Sequence, residues 1–133
     1  MTSAPSLYRT LLALTKPTVV VLLQVTALCA VLSHDLLEAG GFSKLDYSAS
    51  FETIIIVFIG GYLTAGGANS INMWYDRDID PIMERTANRP IPSGAISANA
   101  ALIFGISISI IGVIWFNFMT NSVAAFWAAF SIL

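Results

Sequence analysis

Long stretches without a charged side chain constrain this sequence more than any other feature. No Asp, Glu, Lys or Arg occurs in residues 17–33, in residues 53–75, or from Pro90 to Leu133. An α-helix needs about 20 apolar residues to cross a hydrocarbon core of about 30 Å. The 133-residue chain is 56% hydrophobic and 11% charged, and its mean hydropathy is +0.78. Such values are typical of an integral membrane protein, so we predict an all-α, polytopic transmembrane helical bundle.

Polar residues divide the apolar sequence into four predicted spans, at about 17–33, 53–75, 99–116 and 121–133. The polar turn "FNFMTNS" separates the last two. Only about a dozen residues belong to the fourth span, which is too few to cross a bilayer. We therefore expect residues 1–133 to be the N-terminal part of a single transmembrane domain, truncated after about three and a half spans.

Charge and cysteine content exclude several other classes. A net charge of −2 gives no indication of a nucleic-acid partner. The single cysteine, Cys29, excludes an intrachain disulfide and a cysteine-based metal cage. Arg9 and Lys16 before the first apolar run would also suit a signal peptide. Bulky Leu28 in "TALCA" makes a poor lipoprotein cleavage site, however, so a first membrane span is favoured.

Basic residues predict the orientation of the bundle, because cytoplasmic loops of membrane proteins are enriched in Lys and Arg. Those outside the 34–52 connection are Arg9, Lys16, Arg77, Arg85 and Arg89. The 34–52 connection holds only Lys44 against several acidic residues. We therefore predict that the N-terminus and the loop after the second span are cytoplasmic, in a bacterial inner membrane or its organellar equivalent.

Small residues recur at helical spacing within the second and third spans. They are Gly60, Thr64 and Ala68 in one, and Gly105, Ser109 and Gly112 in the other. Small side chains at this spacing let helix backbones approach closely in lipid. We interpret them as packing residues without a chemical role.

The segment "NSINMWYDRDID" places carboxylates at the end of the second span, where they are costly unless functional. Asn72, Asp76 and Asp80 are spaced four apart, so each step turns by only about 40° around a helix. These three side chains are expected on one face, while Asp78 lies off it. Pro81 disfavours helical geometry at the preceding residue, which predicts that the array straddles a helix end.

The chemistry of this array suits a metal-bound diphosphate. Mg²⁺ binds through one or two carboxylates plus substrate phosphates, which predicts Asn72, Asp76 and Asp80 as its ligands. Arg85 and Arg89 follow at a spacing that suits diphosphate oxygens. The alternatives at this point are a solvated loop of Asp–Arg pairs, a transporter segment and an inactive packing fragment. Lys16 is either a topology anchor or a further phosphate ligand.

Residues 72–97, "NMWYDRDIDPIMERTANRPIPSGAIS", resemble the first aspartate-rich motif of the UbiA-type intramembrane prenyltransferases. Within that superfamily, "LTKPTVV", "GGYLTAGGANSINMWYDRDID" and "ERTANRPIPSG" are most similar to the protoheme IX farnesyltransferases, or heme O synthases. The aromatic-acid prenyltransferases have similar loops, although many carry an acidic residue where this chain has Met73. The acceptor is therefore less firmly indicated than the superfamily.

The resemblance implies a helical bundle of about nine spans in the complete protein, with a cavity open to the lipid bilayer. It implies transfer of a farnesyl group from farnesyl diphosphate to a vinyl group of heme B, with an aromatic acceptor such as 4-hydroxybenzoate as the alternative. Asp76 and Asp80 would be catalytic and would hold Mg²⁺ with Asn72. Arg85, Arg89 and Lys16 would bind the diphosphate. A second Asp-rich motif, expected in such enzymes, does not occur in this sequence.

Overall fold

The computed structural model describes residues 6–133, and this part of the chain is helical and contains no β-strand. The α-helices are α1 (Leu7–Thr15), α2 (Pro17–Ala39), α3 (Tyr47–Tyr75), α4 (Ala98–Met119) and α5 (Ser122–Phe130). Short 3-10 turns occupy Phe42–Lys44 and Asp76–Asp78. The predicted all-α fold class is confirmed. The first five residues of the predicted 1–133 domain lie outside the described residues.

Three helices are long and apolar enough to cross a membrane: α2, α3 with its following 3-10 turn, and α4. The predicted spans at 17–33, 53–75 and 99–116 each lie within one of them. The nine-residue α5 occupies the position of the predicted incomplete span and begins after Asn121, whose side chain accepts a hydrogen bond from the Ala124 amide.

The connection between α2 and α3 is shorter than the charge pattern predicted. Helix α2 continues beyond residue 33 until Gly40, whose left-handed φ of 71° allows its N–H to bond back to the last turn. Helix α3 starts after Asp46, whose carboxylate accepts bonds from the Ser48 and Ala49 amides. Residues 34–39 and 47–52 are therefore helical, since a charged side chain does not interrupt helical hydrogen bonding.

Helix α3 contacts every other α-helix, and it approaches α4 most closely through small residues. A Cβ added at Gly67 would lie 2.8 Å from the Gly105 carbonyl oxygen. A Cβ at Gly112 would lie 2.7 Å from Thr64 Cγ2. Gly105, Gly112 and Thr64 therefore pack as the sequence predicted, and Gly67, which was not among the predicted residues, also lies at this contact.

Side-chain hydrogen bonds to backbone carbonyls fix the neighbours of α3. Ser70 Oγ donates to the Ala101 carbonyl at 2.9 Å, which joins α3 to α4. Gln24 Nε2 donates to the Phe58 carbonyl at 2.7 Å, which joins α2 to α3. Such bonds satisfy polar groups that lipid cannot solvate.

A small apolar cluster ties the helix ends to the loop that follows α3. Leu14, Met73 and Ala101 are fully or almost fully buried together, and Ile91 of the loop packs against them. This cluster lies next to the charged residues at the end of α3 and gives them a fixed base.

Candidate functional site

Asn72 and Asp76, the first two of the residues predicted to share a face, lie side by side at the end of α3. Asn72 Nδ2 donates to Asp76 Oδ2 at 3.3 Å, so this amide and carboxylate are neighbours one helical turn apart. The Asp80 amide donates to the Asp76 carbonyl at 2.9 Å, which extends the four-residue spacing into the loop. Helix α3 ends at Tyr75 and the 3-10 turn ends at Asp78, so Asn72 lies within the helix and Asp80 lies beyond its end, just before Pro81.

The Asp80 side chain is buried and pairs with Arg89. Arg89 Nη1 lies 2.7 Å from one carboxylate oxygen and 2.9 Å from the other. The Asp80 side chain is only 3% exposed and that of Arg89 is 24% exposed. A guanidinium carries five N–H donors, and only Nη1 is used in these bonds. Arg89 therefore neutralises Asp80 and keeps further donors available to an anion.

Consecutive turns hold the loop between α3 and α4 in this arrangement. The buried Thr86 hydroxyl donates to the Asp80 carbonyl at 2.9 Å. The Arg89 amide donates to the Thr86 carbonyl at 2.9 Å, which fixes the arginine relative to the carboxylate. Arg85, on the same loop, is exposed. The pairing of Asp80 with Arg89 corresponds in part to the expected alternative of Asp–Arg pairs, but the pair is buried rather than solvated.

Lys16 belongs to the same charged cluster although it lies far away in sequence. Its partial burial lowers the pKa of its ammonium group below the usual value, and the positive charge of Arg89 lowers this pKa further. The carboxylates of Asp76 and Asp80 raise it, and Arg85 adds a smaller lowering. Lys16 is therefore near enough to these residues for their charges to change its pKa.

Asp78 lies apart from this cluster, on the outer side of the turn. Its side chain is 81% exposed, and its nearest cation is Arg77 at 3.7 Å. Arg77 in turn lies over the Trp74 ring, 4.5 Å from the ring centroid. Asp78 therefore serves as a natural control for the two aspartates of the cluster.

The donors present suit part of a magnesium site. Asp76 offers a half-buried carboxylate beside the Asn72 amide, and such oxygen ligands are those that Mg²⁺ prefers. Both Asp80 oxygens bond to Arg89. Among residues 6–133 there is no group of three or more His, Cys, Asp or Glu side chains that could hold a metal. The site therefore fits an ion that takes its remaining ligands from water and phosphate.

Two features of the site were not predicted from the sequence. One is the buried Asp80–Arg89 pair, and the other is a set of α3 residues that contacts the end of α1 next to Lys16. The sequence does contain a signal for the second feature. Asn69 is a polar residue inside the apolar helix α3, and polar residues in such helices are uncommon and usually paired.

Residues 27–133 match the model of the UbiA prenyltransferase family. No solved structure matches the chain. The family model covers α3, the aspartate-containing loop and α4, so the match includes most of the residues described above.

Curated relatives give the same result along most of the chain. The chain is 40% identical over 126 residues to "Protoheme IX farnesyltransferase 1" of Cenarchaeum symbiosum. The aligned region covers 93% of this chain and 40% of the relative. It is 43% identical over 122 residues to "Protoheme IX farnesyltransferase" of Chloroflexus aurantiacus, covering 92% of this chain and 19% of the relative. The chain thus spans about a fifth to two fifths of the length of these curated relatives.

The family match and the three apolar helices agree with each other. The chain is therefore an integral membrane protein that belongs to the UbiA prenyltransferase family.

Proposed function

We propose that this chain is the diphosphate-binding part of a prenyltransferase domain that moves a farnesyl group from farnesyl diphosphate to a vinyl group of heme B, giving heme O. The observation that carries this proposal is the charged cluster at the end of α3, where Arg89 lies 2.7 Å from Asp80 and Lys16 is near enough to feel the charges of Asp76, Asp80, Arg85 and Arg89. Three cations beside two carboxylates suit a ligand that is strongly anionic and metal-bound.

The proposed reaction uses these charges on the leaving group. The carbon–oxygen bond of farnesyl diphosphate breaks, and its electron pair leaves with the diphosphate. The vinyl group then supplies the electrons for a new bond to farnesyl C1. Water adds to the resulting cation and loses a proton to solvent, which forms the hydroxyethylfarnesyl side chain. Bond breaking is favoured where fixed charges already face the departing oxygens.

Each residue of the cluster has a proposed part in that step. Arg85, Arg89 and Lys16 bind the diphosphate and stabilise the charge that develops on it. Asn72 and Asp76 would hold Mg²⁺, and Asp80 would join them through the lone pairs that its bonds to Arg89 leave free. The ion would supply further charge neutralisation for the leaving group. The ammonium group of Lys16 is partly withdrawn from water, which strengthens its attraction to an arriving anion.

Heme B as acceptor is supported by the names of the relatives, which are protoheme IX farnesyltransferases, and by the environment of Met73. Met73 is 1% exposed and packs with Leu14 and Ala101. The related aromatic-acid enzymes often have an acidic residue here, and in this chain a carboxylate would be buried in an apolar cluster at a high desolvation cost. The methionine therefore favours the heme branch.

The acceptor can be tested directly. We expect an extended chain that carries this segment together with a second Asp-rich motif to convert heme B to heme O with farnesyl diphosphate and Mg²⁺. The same preparation should give no prenylated 4-hydroxybenzoate, as measured by chromatography of both product mixtures. Prenylation of 4-hydroxybenzoate alone would assign the chain to the aromatic-acid branch instead.

We also propose that the N-terminus and the loop after α3 face the cytoplasm, because Lys and Arg concentrate there. In a Cys29→Ser background, exposed Ser93 in this loop can be changed to cysteine, and exposed Ser43 in the α2–α3 connection serves as its matched opposite. A membrane-impermeant thiol reagent added to intact cells should label the Ser43→Cys chain only. Labelling of the Ser93→Cys chain alone would contradict the proposed topology and indicate the opposite orientation.

A further inference from the structure

The helix break at Lys16 is an unusual piece of backbone. Lys16 alone separates α1 from α2, and its φ of 49° and ψ of 64° place it in the left-handed region. It is the one non-glycine residue with positive φ in the described part of the chain. Pro17 disfavours right-handed helical geometry at the preceding residue. A lysine is disfavoured in the left-handed region too, so surrounding contacts must maintain it.

Helix α3 supplies those contacts through a stripe of residues that faces Thr15. Asn69 Nδ2 donates to the Thr15 carbonyl oxygen at 3.0 Å. Thr15 Oγ1 donates its proton to the Leu12 carbonyl at 2.8 Å, so Tyr62, whose hydroxyl lies 3.0 Å away, is the donor to Thr15. Gly66 leaves room for this contact, because a Cβ there would lie 3.1 Å from the Thr15 side chain.

The bond from Asn69 acts on the peptide unit that carries Lys16. The Thr15 carbonyl and the Lys16 N–H belong to one planar peptide group. Asn69 holds the oxygen of that group, and the N–H donates to the Ala13 carbonyl at 3.3 Å. Both ends of the plane are thereby fixed, which restricts the direction in which the Lys16 side chain leaves the backbone.

The same stripe of α3 leads to the charged cluster. Residues 62, 66 and 69 continue to 76 at steps of four, three and seven, which keeps them on one side of a helix. Asp76 therefore lies two turns beyond Asn69 on the face that contacts the helix break. A lysine fixed at this break lies close enough to respond to the charges of Asp76 and Arg89.

We infer that Asn69 is a positioning residue, which pins the Thr15–Lys16 peptide so that the Lys16 ammonium group meets the diphosphate. This inference rests on the proposed function, since it assigns a device to the same site. Asn69 acts through Lys16, and Tyr62 is a second support for the same peptide. The effect of Asn69 on anion binding therefore depends on Lys16 being present.

A double-mutant cycle on the 133-residue chain in lipid nanodiscs tests this, with inorganic diphosphate and Mg²⁺ as the probe and calorimetry as the readout. Lys16→Met should weaken binding by about tenfold, the loss of one charge-assisted hydrogen bond. Asn69→Ala should weaken it by about fivefold in the unaltered chain and by less than about twofold in the Lys16→Met chain, because coupled residues are not additive. Asn69→Gln, which keeps the amide donor, should recover part of the loss, and Tyr62→Phe should give a smaller loss with the same dependence on Lys16.

Gln24→Ala is the matched control, because it removes a similar bond from a side-chain amide to a carbonyl of another helix. It should leave diphosphate affinity within about twofold of the unaltered chain, as expected for sites without a shared partner. Circular dichroism of each variant checks that helix content is retained. An equal loss for Asn69→Ala with and without Lys16 would overturn the inference alone. Absence of any Mg²⁺-dependent binding by the unaltered chain would overturn the proposed function, and the inference with it.

Discussion

Replacing Asp76 with alanine is expected to reduce farnesyl transfer by at least about 100-fold. The assay uses an extended chain that carries this segment and a second Asp-rich motif. A loss of this size is typical of removing one preorganised electrostatic contact. Asp76 is half-buried at the end of α3 and accepts a hydrogen bond from Asn72, so it contributes little to packing. The folded bundle should therefore remain intact. Heme O formation measured by chromatography, with thermal unfolding measured in parallel, separates these two effects.

Asp80→Ala is expected to reduce transfer to a similar extent and also to lower stability. Its carboxylate is buried against Arg89, and removing it leaves that guanidinium without its partner. A cost of about 3 kcal/mol is expected, because removing one partner of a buried ion pair leaves the other charge uncompensated. The buried pair with Arg89 is therefore the reason to expect a lower stability for Asp80→Ala than for Asp76→Ala.

Asp78→Ala provides the matched control for both changes, because its side chain is 81% exposed beside Arg77. Its transfer rate should stay within about threefold of the unaltered protein, since exposed ion pairs contribute little. If Asp78→Ala were as damaging as Asp76→Ala, the assignment of a functional face at the end of α3 would be wrong.

The second large effect concerns turnover by the 133-residue chain alone. We expect it to form no heme O from farnesyl diphosphate, Mg²⁺ and heme B. One Asp-rich motif supplies few ligands for an ion that demands near-octahedral order. An extended chain assayed in the same lipid is the positive control. Heme O produced by the purified 133-residue chain would contradict this expectation.

The helical architecture could be predicted because its causes are local. Charge-free windows of sufficient length gave the three apolar helices, and small residues such as Gly105 and Gly112 indicated the close packing of α4 on α3. Helix ends were less predictable from charge. The capping residues Gly40 and Asp46, rather than the charged residues near them, determine the end of α2 and the start of α3.

The candidate site was predictable only where one helix determines it. The four-residue spacing of Asn72 and Asp76 carries directly into a side-chain hydrogen bond. The Asp80–Arg89 pair depends on a series of loop turns, and loops have no hydrophobic period to read. The position of Lys16 depends on contacts between α1 and α3. The bond from Asn69 to Thr15, for example, joins residues that are 54 positions apart in the sequence.

The central claim is that the cluster at the end of α3 binds a metal-bound diphosphate, and calorimetric titration of the 133-residue chain in nanodiscs with farnesyl diphosphate tests it most directly. We expect binding in the presence of Mg²⁺, loss of that binding with a chelator, and a weakening of at least about tenfold in Arg89→Ala, which removes charge-assisted hydrogen bonds. Arg77→Ala, which removes a cation that stacks on Trp74 outside the cluster, should bind as the unaltered chain does. Binding that is equal with and without Mg²⁺, or that is lowered as much by Arg77→Ala as by Arg89→Ala, would contradict the claim.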